Sequence, residues 1–103
     1  MSHMNVIAKK TLREFWEKHP DAKGPLEAWH AAIKGNHWTS WTELKEQFRR
    51  TVDPLGDDRY VFNIKGNDYR LIAKINFSSK VVFVKRICTH AEYDRINAKE
   101  VGP

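Results

Sequence analysis

The chain has 103 residues with a hydrophobic fraction of 41%, enough for one domain with a single modest core. A formal net charge of +5 favours a polyanionic partner, most often nucleic acid. A single cysteine, Cys88, excludes an internal disulfide framework, and its position in an apolar run predicts a buried, unreactive thiol. Because no apolar run reaches membrane-spanning length and no signal peptide is visible, we expect a cytoplasmic protein.

The N-terminal third of the chain predicts an edge strand followed by two helices. Residues 1–3 (M-S-H) look like the remnant of an expression tag, which leaves 4–103 as the single domain. Asn5–Ala8 is short and apolar and predicts an edge strand of a sheet built later in the chain. Two helical stripes follow, and we expect them to form an antiparallel hairpin on that sheet. The stripes are Leu12, Phe15, Trp16, His19, ending at Pro20, and Leu26, Trp29, His30, Ile33, between Pro25 and Gly35.

A third, shorter helix is predicted after a capping box formed by Ser40 and Glu43, with Trp41 facing inward. Residues 51–59 are then expected to form a loop. The paired Asp57 and Asp58 in it are better explained as a solvated turn than as a metal site, because no further ligand stands at the required spacing. Zinc-type spacings and a glycine-rich phosphate loop are also absent from the sequence, so neither metal nor cofactor is expected.

The four tryptophans allow two interpretations. Trp16 and Trp29 lie on helix stripes and are expected in the core. Trp38 and Trp41 fit equally well in the core or in an exposed surface that stacks nucleic-acid bases.

Three consecutive strands are predicted at 60–64, 69–77 and 81–87, and the short turns between them indicate an antiparallel meander. Residues alternate in the second strand so that one face is apolar and must contact the helices. The other face carries Arg70 and Lys74 and is the surface on which a polyanion is expected to lie.

The last strand leads into a second capping box, formed by Thr89 and Glu92, which places His90 at the first position of a C-terminal helix. The partial positive charge of a helix start disfavours a protonated imidazole, and this suits a residue that accepts a proton. Tyr93 and Asp94 share a helix face with His90. The alternative is that His90 is simply a partly exposed polar residue at a helix end.

Two motifs, F-N-I-K-G-N-D-Y-R-L at Phe62–Leu71 and T-H-A-E-Y-D at Thr89–Asp94, resemble the HigB toxins of bacterial toxin–antitoxin systems, within the RelE-like group of ribosome-dependent mRNA endonucleases. The similarity spans nearly the whole chain. Many members carry two glycines before the turn asparagine, whereas Lys65 precedes Gly66 here and adds a cation. The resemblance implies an α+β, RelE-like fold: a small curved antiparallel sheet with the N-terminal helical hairpin on one face, a short C-terminal helix, and the RNA site on the other face.

Metal-independent RNA cleavage needs a base, cations at the phosphate and an acid for the leaving oxygen. The catalytic residues expected from this chemistry together with the resemblance are His90 for proton transfer, Arg70 for clamping phosphate, and Tyr93 for stacking a base or orienting His90. Strand alternation predicts opposite faces for Lys85 and Arg86, so that only one of them shares the site with Arg70. The resemblance favours Lys85. The residues expected to bind RNA outside the catalytic set are Lys65, Asn67, Lys74 and Arg86.

The function implied is cleavage of translated mRNA in the A site of the 70S ribosome, which inhibits translation and growth, and the implied partner is a HigA-like helix-turn-helix antitoxin. A second hypothesis is a non-catalytic RNA- or ribosome-binding module that uses the same basic face. A DNA-binding regulator is disfavoured, because the helix stripes are committed to the core and no exposed basic recognition helix is visible.

Overall fold

A computed structural model describes residues 4–36 and 38–96, so the expected tag remnant at 1–3 lies outside the described residues. The α+β class predicted from the sequence is confirmed, with helices packed on a five-stranded sheet. None of the helices within these ranges is long and apolar enough to cross a membrane. The elements in chain order are β1 (Asn5–Ile7), α1 (Lys9–Lys18), α2 (Lys23–Lys34), α3 (Trp41–Phe48), β2 (Val52–Gly56), β3 (Arg59–Ile64), β4 (Tyr69–Asn76), β5 (Val81–Thr89) and α4 (His90–Tyr93).

The strands lie in the order β1-β5-β4-β3-β2. Strands β2 to β5 form an antiparallel meander, as predicted for the last three of them. Strand β1 is the expected edge strand, but it runs parallel to β5, with Ile7 beside Phe83. The sheet is therefore mixed, and the helices carry the chain from the β1 edge to the opposite edge, where β2 begins the meander.

The helical hairpin packs its apolar stripes on one face of the sheet, as expected. Leu12, Leu26 and Ile33 from the helices are fully buried in one core cluster with Phe62 and Leu71 from the strands. The 3-10 turn Pro20–Ala22 ends α1 and leads directly into α2. Consequently α2 begins at Lys23, two residues earlier than the expected start at Pro25.

Helix α3 starts where predicted, although its cap differs from the expected capping box. Ser40 is the N-cap residue, but its side chain makes no capping hydrogen bond. The Glu43 carboxylate instead accepts a hydrogen bond from the backbone N–H of Thr39 at 2.7 Å. Trp38 is buried, and Trp41 stacks on Tyr60 with 5.2 Å between ring centroids. The core interpretation is confirmed for Trp38, for which the base-stacking alternative is wrong, whereas Trp41 is partly buried and packs against the same core.

The loop predicted for residues 51–59 is wrong in its first half, because Val52–Gly56 forms β2 at the edge of the sheet. Val52 is buried opposite Phe62, which anchors the strand to the core. Pro54 is tolerated because an edge strand needs no N–H donor on its open side, and the register slips between Pro54 and Gly56. These two residues gave the misleading turn pattern.

The face opposite the hairpin carries a second, smaller apolar cluster. Val61 and Ile72 from the sheet are buried beneath Leu55, Tyr93 and Ile96. Helix α4 therefore folds back onto the face that was expected to receive a polyanion, and it covers one part of that face. The uncovered part and the edge of α4 define the candidate site.

Candidate functional site

Arg70 is the centre of the candidate site. Arg70 is only 9% exposed. Three hydrogen bonds to groups in or next to the β3–β4 turn hold its guanidinium. Nη2 donates to Oδ1 of Asn67 at 2.7 Å, and Nη1 donates to the carbonyl oxygens of Asn67 at 3.0 Å and of Tyr69 at 3.2 Å. A buried charge requires such partners, and this set fixes the plane of the guanidinium.

Tyr93 of α4 supplies the second contact to Arg70. The guanidinium carbon lies 5.9 Å from the centroid of the Tyr93 ring, within the range of a cation–π interaction. Burial raises the pKa of the Tyr93 hydroxyl, although the positive charge of Arg70 opposes the shift. The hydroxyl therefore remains a proton donor at neutral pH.

His90 is the first residue of α4, as the capping box predicted. Both reciprocal bonds are present: the Glu92 N–H donates to the Thr89 hydroxyl at 3.1 Å, and the Thr89 N–H donates to the Glu92 carboxylate at 2.9 Å. The backbone N–H of His90 donates to the carbonyl of Asp68 at 3.0 Å. The start of α4 is thereby fastened to the same turn that holds Arg70.

The imidazole of His90 is about half exposed and is oriented by the end of its own helix. Oδ2 of Asp94 lies 3.5 Å from Nδ1 of His90, one helical turn away. Nδ1 therefore faces the carboxylate, which leaves Nε2 as the nitrogen available to a ligand. The expectation that Asp94 shares a helix face with His90 is confirmed, and the geometry gives it a positioning contact.

The placement of Lys85 and Arg86 differs from the alternation expected of a regular strand. Ile72 pairs with Arg86, whereas the next residue, Ala73, pairs with Val84, so Lys85 is an extra residue in a β-bulge. Residues paired across an antiparallel ladder share a face, so Arg86 lies on the same face as Arg70. The Nζ atom of Lys85 lies 5.5 Å from the Phe83 ring centroid, which is on that face as well. The prediction that the two cations lie on opposite faces is wrong.

Cys88 is the register partner of Arg70 in the β4–β5 pair. The expectation of a buried thiol is confirmed, and burial raises the pKa of the thiol above its usual value. Because the thiol is neutral, it does not offset the charge of Arg70.

Glu92 is the carboxylate near Cys88. The pKa of Glu92 is lowered first by the hydrogen bond from the Thr89 N–H and further by the charge of Arg86.

Of the residues expected to bind RNA, Lys65 is paired with two carboxylates and Lys74 lies further along the sheet. Nζ of Lys65 is 3.1 Å from Oδ2 of Asp21 and 3.2 Å from Oδ2 of Asp68, and the Tyr69 hydroxyl donates to Asp21 at 2.6 Å. These contacts tie the turn between α1 and α2 to the β3–β4 turn. Lys74 is exposed on the Arg70 face, four residues and about 13 Å further along β4.

The structure thus places Arg70, Tyr93 and Arg86 on one sheet face, and the β3–β4 turn is bonded to both Arg70 and the backbone of His90. The role of Asn67 as a partner of Arg70 was not predicted, and the sequence signalled only an asparagine in a tight turn. The carbonyl of Asp68 was not predicted either, because backbone groups leave no mark in a sequence.

Comparison with known proteins identifies a matching family model, similar sequences and a similar solved structure. A family model described as HigB_toxin, a RelE-like toxic component of a toxin–antitoxin system, matches residues 22–96. The mRNA interferase toxin HigB of Escherichia coli strain K12 is 33% identical over 97 residues, covering 92% of each chain. The mRNA interferase HigB of Shigella flexneri gives the same values. Among solved structures, a chain of the archaeal RelE-RelB complex from Pyrococcus horikoshii OT3 superposes with a TM-score of 0.54 at 14% identity, covering 87% of this chain and 97% of that one.

The chain belongs to the HigB toxin family, the RelE-like toxic components of toxin–antitoxin systems. The structural likeness to the archaeal chain shows a RelE-like fold. Both the family and the fold expected from the sequence are therefore confirmed.

Proposed function

We propose that this member of the HigB family is an mRNA interferase, an endoribonuclease that cleaves translated mRNA in the ribosomal A site without a metal ion. One observation carries the proposal: the β3–β4 turn accepts hydrogen bonds both from the Arg70 guanidinium, at Asn67, and from the backbone N–H of His90, at Asp68. The family match and the printed names of the curated relatives support the reaction class. Such an activity belongs in the cytoplasm, where translation takes place.

In the proposed reaction the 2′-oxygen attacks the adjacent phosphorus and the bond to the 5′-oxygen breaks, which leaves a 2′,3′-cyclic phosphate. Nε2 of His90 accepts the proton from the 2′-hydroxyl. The fixed guanidinium of Arg70 binds a phosphate oxygen, and Arg86 on the same face stabilises the charge that develops there. The Tyr93 hydroxyl, kept protonated by burial, donates the proton to the departing 5′-oxygen.

The bulge changes the assignment that the resemblance favoured for Lys85. Arg86 is the cation opposite Ile72, two residues from Arg70 on the facing strand, whereas the amine of Lys85 is directed to Phe83. We therefore give charge stabilisation to Arg86 and phosphate binding further along the face to Lys85. Asn67 acts through Arg70 as a positioning residue.

The site is tested by mapping new 5′ ends of a reporter mRNA in a translating extract. His90→Ala and Arg70→Lys are expected to lose cleavage by at least about a hundredfold, since the first removes the base for the 2′-hydroxyl and the second removes the guanidinium that binds the phosphate. Lys45→Ala is the matched control, because it removes an exposed charge on α3, away from the Arg70 face of the sheet. Wild-type cleavage by both site variants would refute the assignment.

Ribosome dependence and metal independence need separate tests. New ends confined to a translated message, and absent from an untranslated copy, would establish that the ribosome is required. Product formation from preformed ribosome–mRNA complexes is expected to persist when a chelator removes only the free metal. A strict requirement for added metal at fixed ribosome integrity would overturn the mechanism.

The partner we propose is a HigA-like helix-turn-helix antitoxin that neutralises this toxin. Family membership supports an antitoxin, and the archaeal RelE chain is described in complex with RelB. The net charge of +5 favours an acidic surface on the partner. Association of the co-expressed pair is then expected to weaken with added salt, and a salt-independent affinity would exclude electrostatic attraction as the main contribution.

A non-catalytic RNA- or ribosome-binding module remains the second candidate function. The observation that favours it is that His90 is the only histidine on the Arg70 face among the described residues, so proton transfer rests on one imidazole. Growth arrest by the wild-type protein without new mRNA ends would establish this alternative.

A further inference from the structure

The Arg70 face carries a row of side chains beyond the catalytic end, of which only Lys74 has an expected role, in binding RNA. Across the sheet, Arg59 pairs with Lys74, Lys74 pairs with Phe83, and Phe83 pairs with Ile7. These four residues therefore form one line perpendicular to the strands. Phe83 is 38% exposed and Ile7 is 50% exposed, and they are the large hydrophobic residues exposed within the described part of the chain.

Phe83 is surrounded by positive charge. Lys74 lies directly beside it in the β4–β5 pair, and the amine of Lys85 lies 5.5 Å from its ring centroid. Lys85 follows Phe83 by two residues on β5, which is the spacing of side chains on one face of a strand. An exposed ring between lysines is the combination that single-stranded nucleic acid recognises, since bases stack on the ring and phosphates pair with the amines.

We propose that Phe83 is a base-stacking platform for the RNA strand, with Lys74 and Lys85 binding the phosphates on either side of the stacked base. The proposal rests on the proposed function, because it extends the same RNA-binding face. The row lies about 13 Å along β4 from Arg70, so the stacked base is not the one at the reacting phosphate. Phe83 would therefore select or hold a nucleotide outside the cleaved bond.

The exposed aromatic ring between two lysines favours RNA over a protein partner at this row. A protein interface would bury the apolar pair formed by Ile7 and Phe83 and would leave the lysines at its rim. An RNA strand instead uses the aromatic ring and the lysines together and has no need of Ile7. The two occupants therefore differ in which substitutions affect binding.

The test measures binding of a short, fluorescein-labelled 2′-O-methyl RNA of mixed sequence to the full chain by anisotropy over a series of salt concentrations. The 2′-O-methyl groups prevent cleavage, so binding is measured independently of catalysis. Phe83→Leu removes the ring but retains an apolar side chain, and Phe83→Trp enlarges the ring. Ile7→Ala is the matched control, and thermal unfolding of each variant checks the fold.

Phe83→Leu is expected to weaken binding about tenfold at every salt concentration, within the range of base–aromatic stacking, whereas Phe83→Trp retains or strengthens it. Lys74→Ala is expected to reduce the slope of log affinity against log salt by about 0.7, the value for one phosphate contact on a single strand. Ile7→Ala leaves both quantities unchanged.

Three results would overturn the platform: unchanged affinity in folded Phe83→Leu, equal losses in Phe83→Leu and Ile7→Ala, or no measurable affinity of the wild-type chain for the oligonucleotide. Equal losses would identify an apolar protein contact instead. Binding that depends on Phe83, in a protein that cleaves no mRNA, would support the platform while refuting the proposed endonuclease, so the two failures are distinguishable.

Discussion

Replacing Asn67 by alanine tests whether this residue positions Arg70 or binds RNA itself. The change removes the Oδ1 acceptor, 2.7 Å from Nη2 of Arg70, and leaves the two backbone acceptors of Nη1 in place. A hydrogen bond to a charged group contributes roughly 1.5–3 kcal/mol, and the residual backbone contacts favour the lower end, so we expect a loss of about 1.5 kcal/mol. For a domain of this size this lowers the unfolding midpoint by about 6 °C or more.

The assay is urea unfolding followed by tryptophan fluorescence, together with the cleavage rate of each variant. Asn67→Asp is the matched control, because it retains an oxygen acceptor for Arg70 and should keep or raise stability. It places a carboxylate beside the guanidinium, however, and should therefore lower cleavage by partly neutralising the charge. An Asn67→Ala protein that unfolds at the wild-type urea concentration but binds RNA less tightly would refute positioning and restore the direct RNA contact.

Three further outcomes concern α4 and its contacts. Thr89→Ala removes the side-chain cap and should destabilise the start of α4 by about 1 kcal/mol. The amide proton of Glu92 should then exchange faster with solvent. An unchanged exchange rate would show that the cap is dispensable. Folding lowers the pKa of Glu92 below its ordinary value of 4.5, so the ionised carboxylate stabilises the fold above pH 4.5, and this contribution is lost as the pH falls through the folded pKa. Glu92→Gln should therefore lower the free energy of unfolding at pH 7, and the deficit should shrink on acidification. A deficit that does not change with pH would contradict this. Tyr93→Leu retains apolar cover for Ile72 but loses the ring beneath Arg70, and should lower stability by about 0.5–2 kcal/mol relative to Tyr93→Phe; equal midpoints would exclude the cation–π contact.

The fold was largely predictable because its apolar residues follow the helix period of about 3.6 residues or the strand period of about two. The stripe beginning at Leu12 and the alternation along Tyr69–Asn76 each assign a buried face without knowledge of the partner. Strand β2 was not predictable in this way, since Pro54 and Gly56 are turn residues in most contexts. Only pairing with β3 makes the segment a strand, and pairing is a tertiary property.

The local structure around the candidate site was predictable, but the contacts between its segments were not. Thr89 and Glu92 place His90 at the helix start through purely local geometry, which is why that prediction succeeded. The link from His90 to the β3–β4 turn runs through the backbone carbonyl of Asp68, and the buried state of Arg70 depends on α4 folding back over the sheet. Neither feature has a local sequence pattern.

The bulge at Lys85 was partly predictable, because its cause is visible in the spacing of the apolar residues of β5. Val82, Val84 and Ile87 all face the core, so the interval changes from two residues to three. Regular alternation would have to expose Ile87 or bury the charge of Arg86, and burying an unpaired charge costs several kcal/mol. One extra residue, at the expense of a local interruption of the ladder, avoids both penalties. The same insertion that preserves the core also keeps Arg86 on the Arg70 face, so the packing of one face determines the chemistry available on the other.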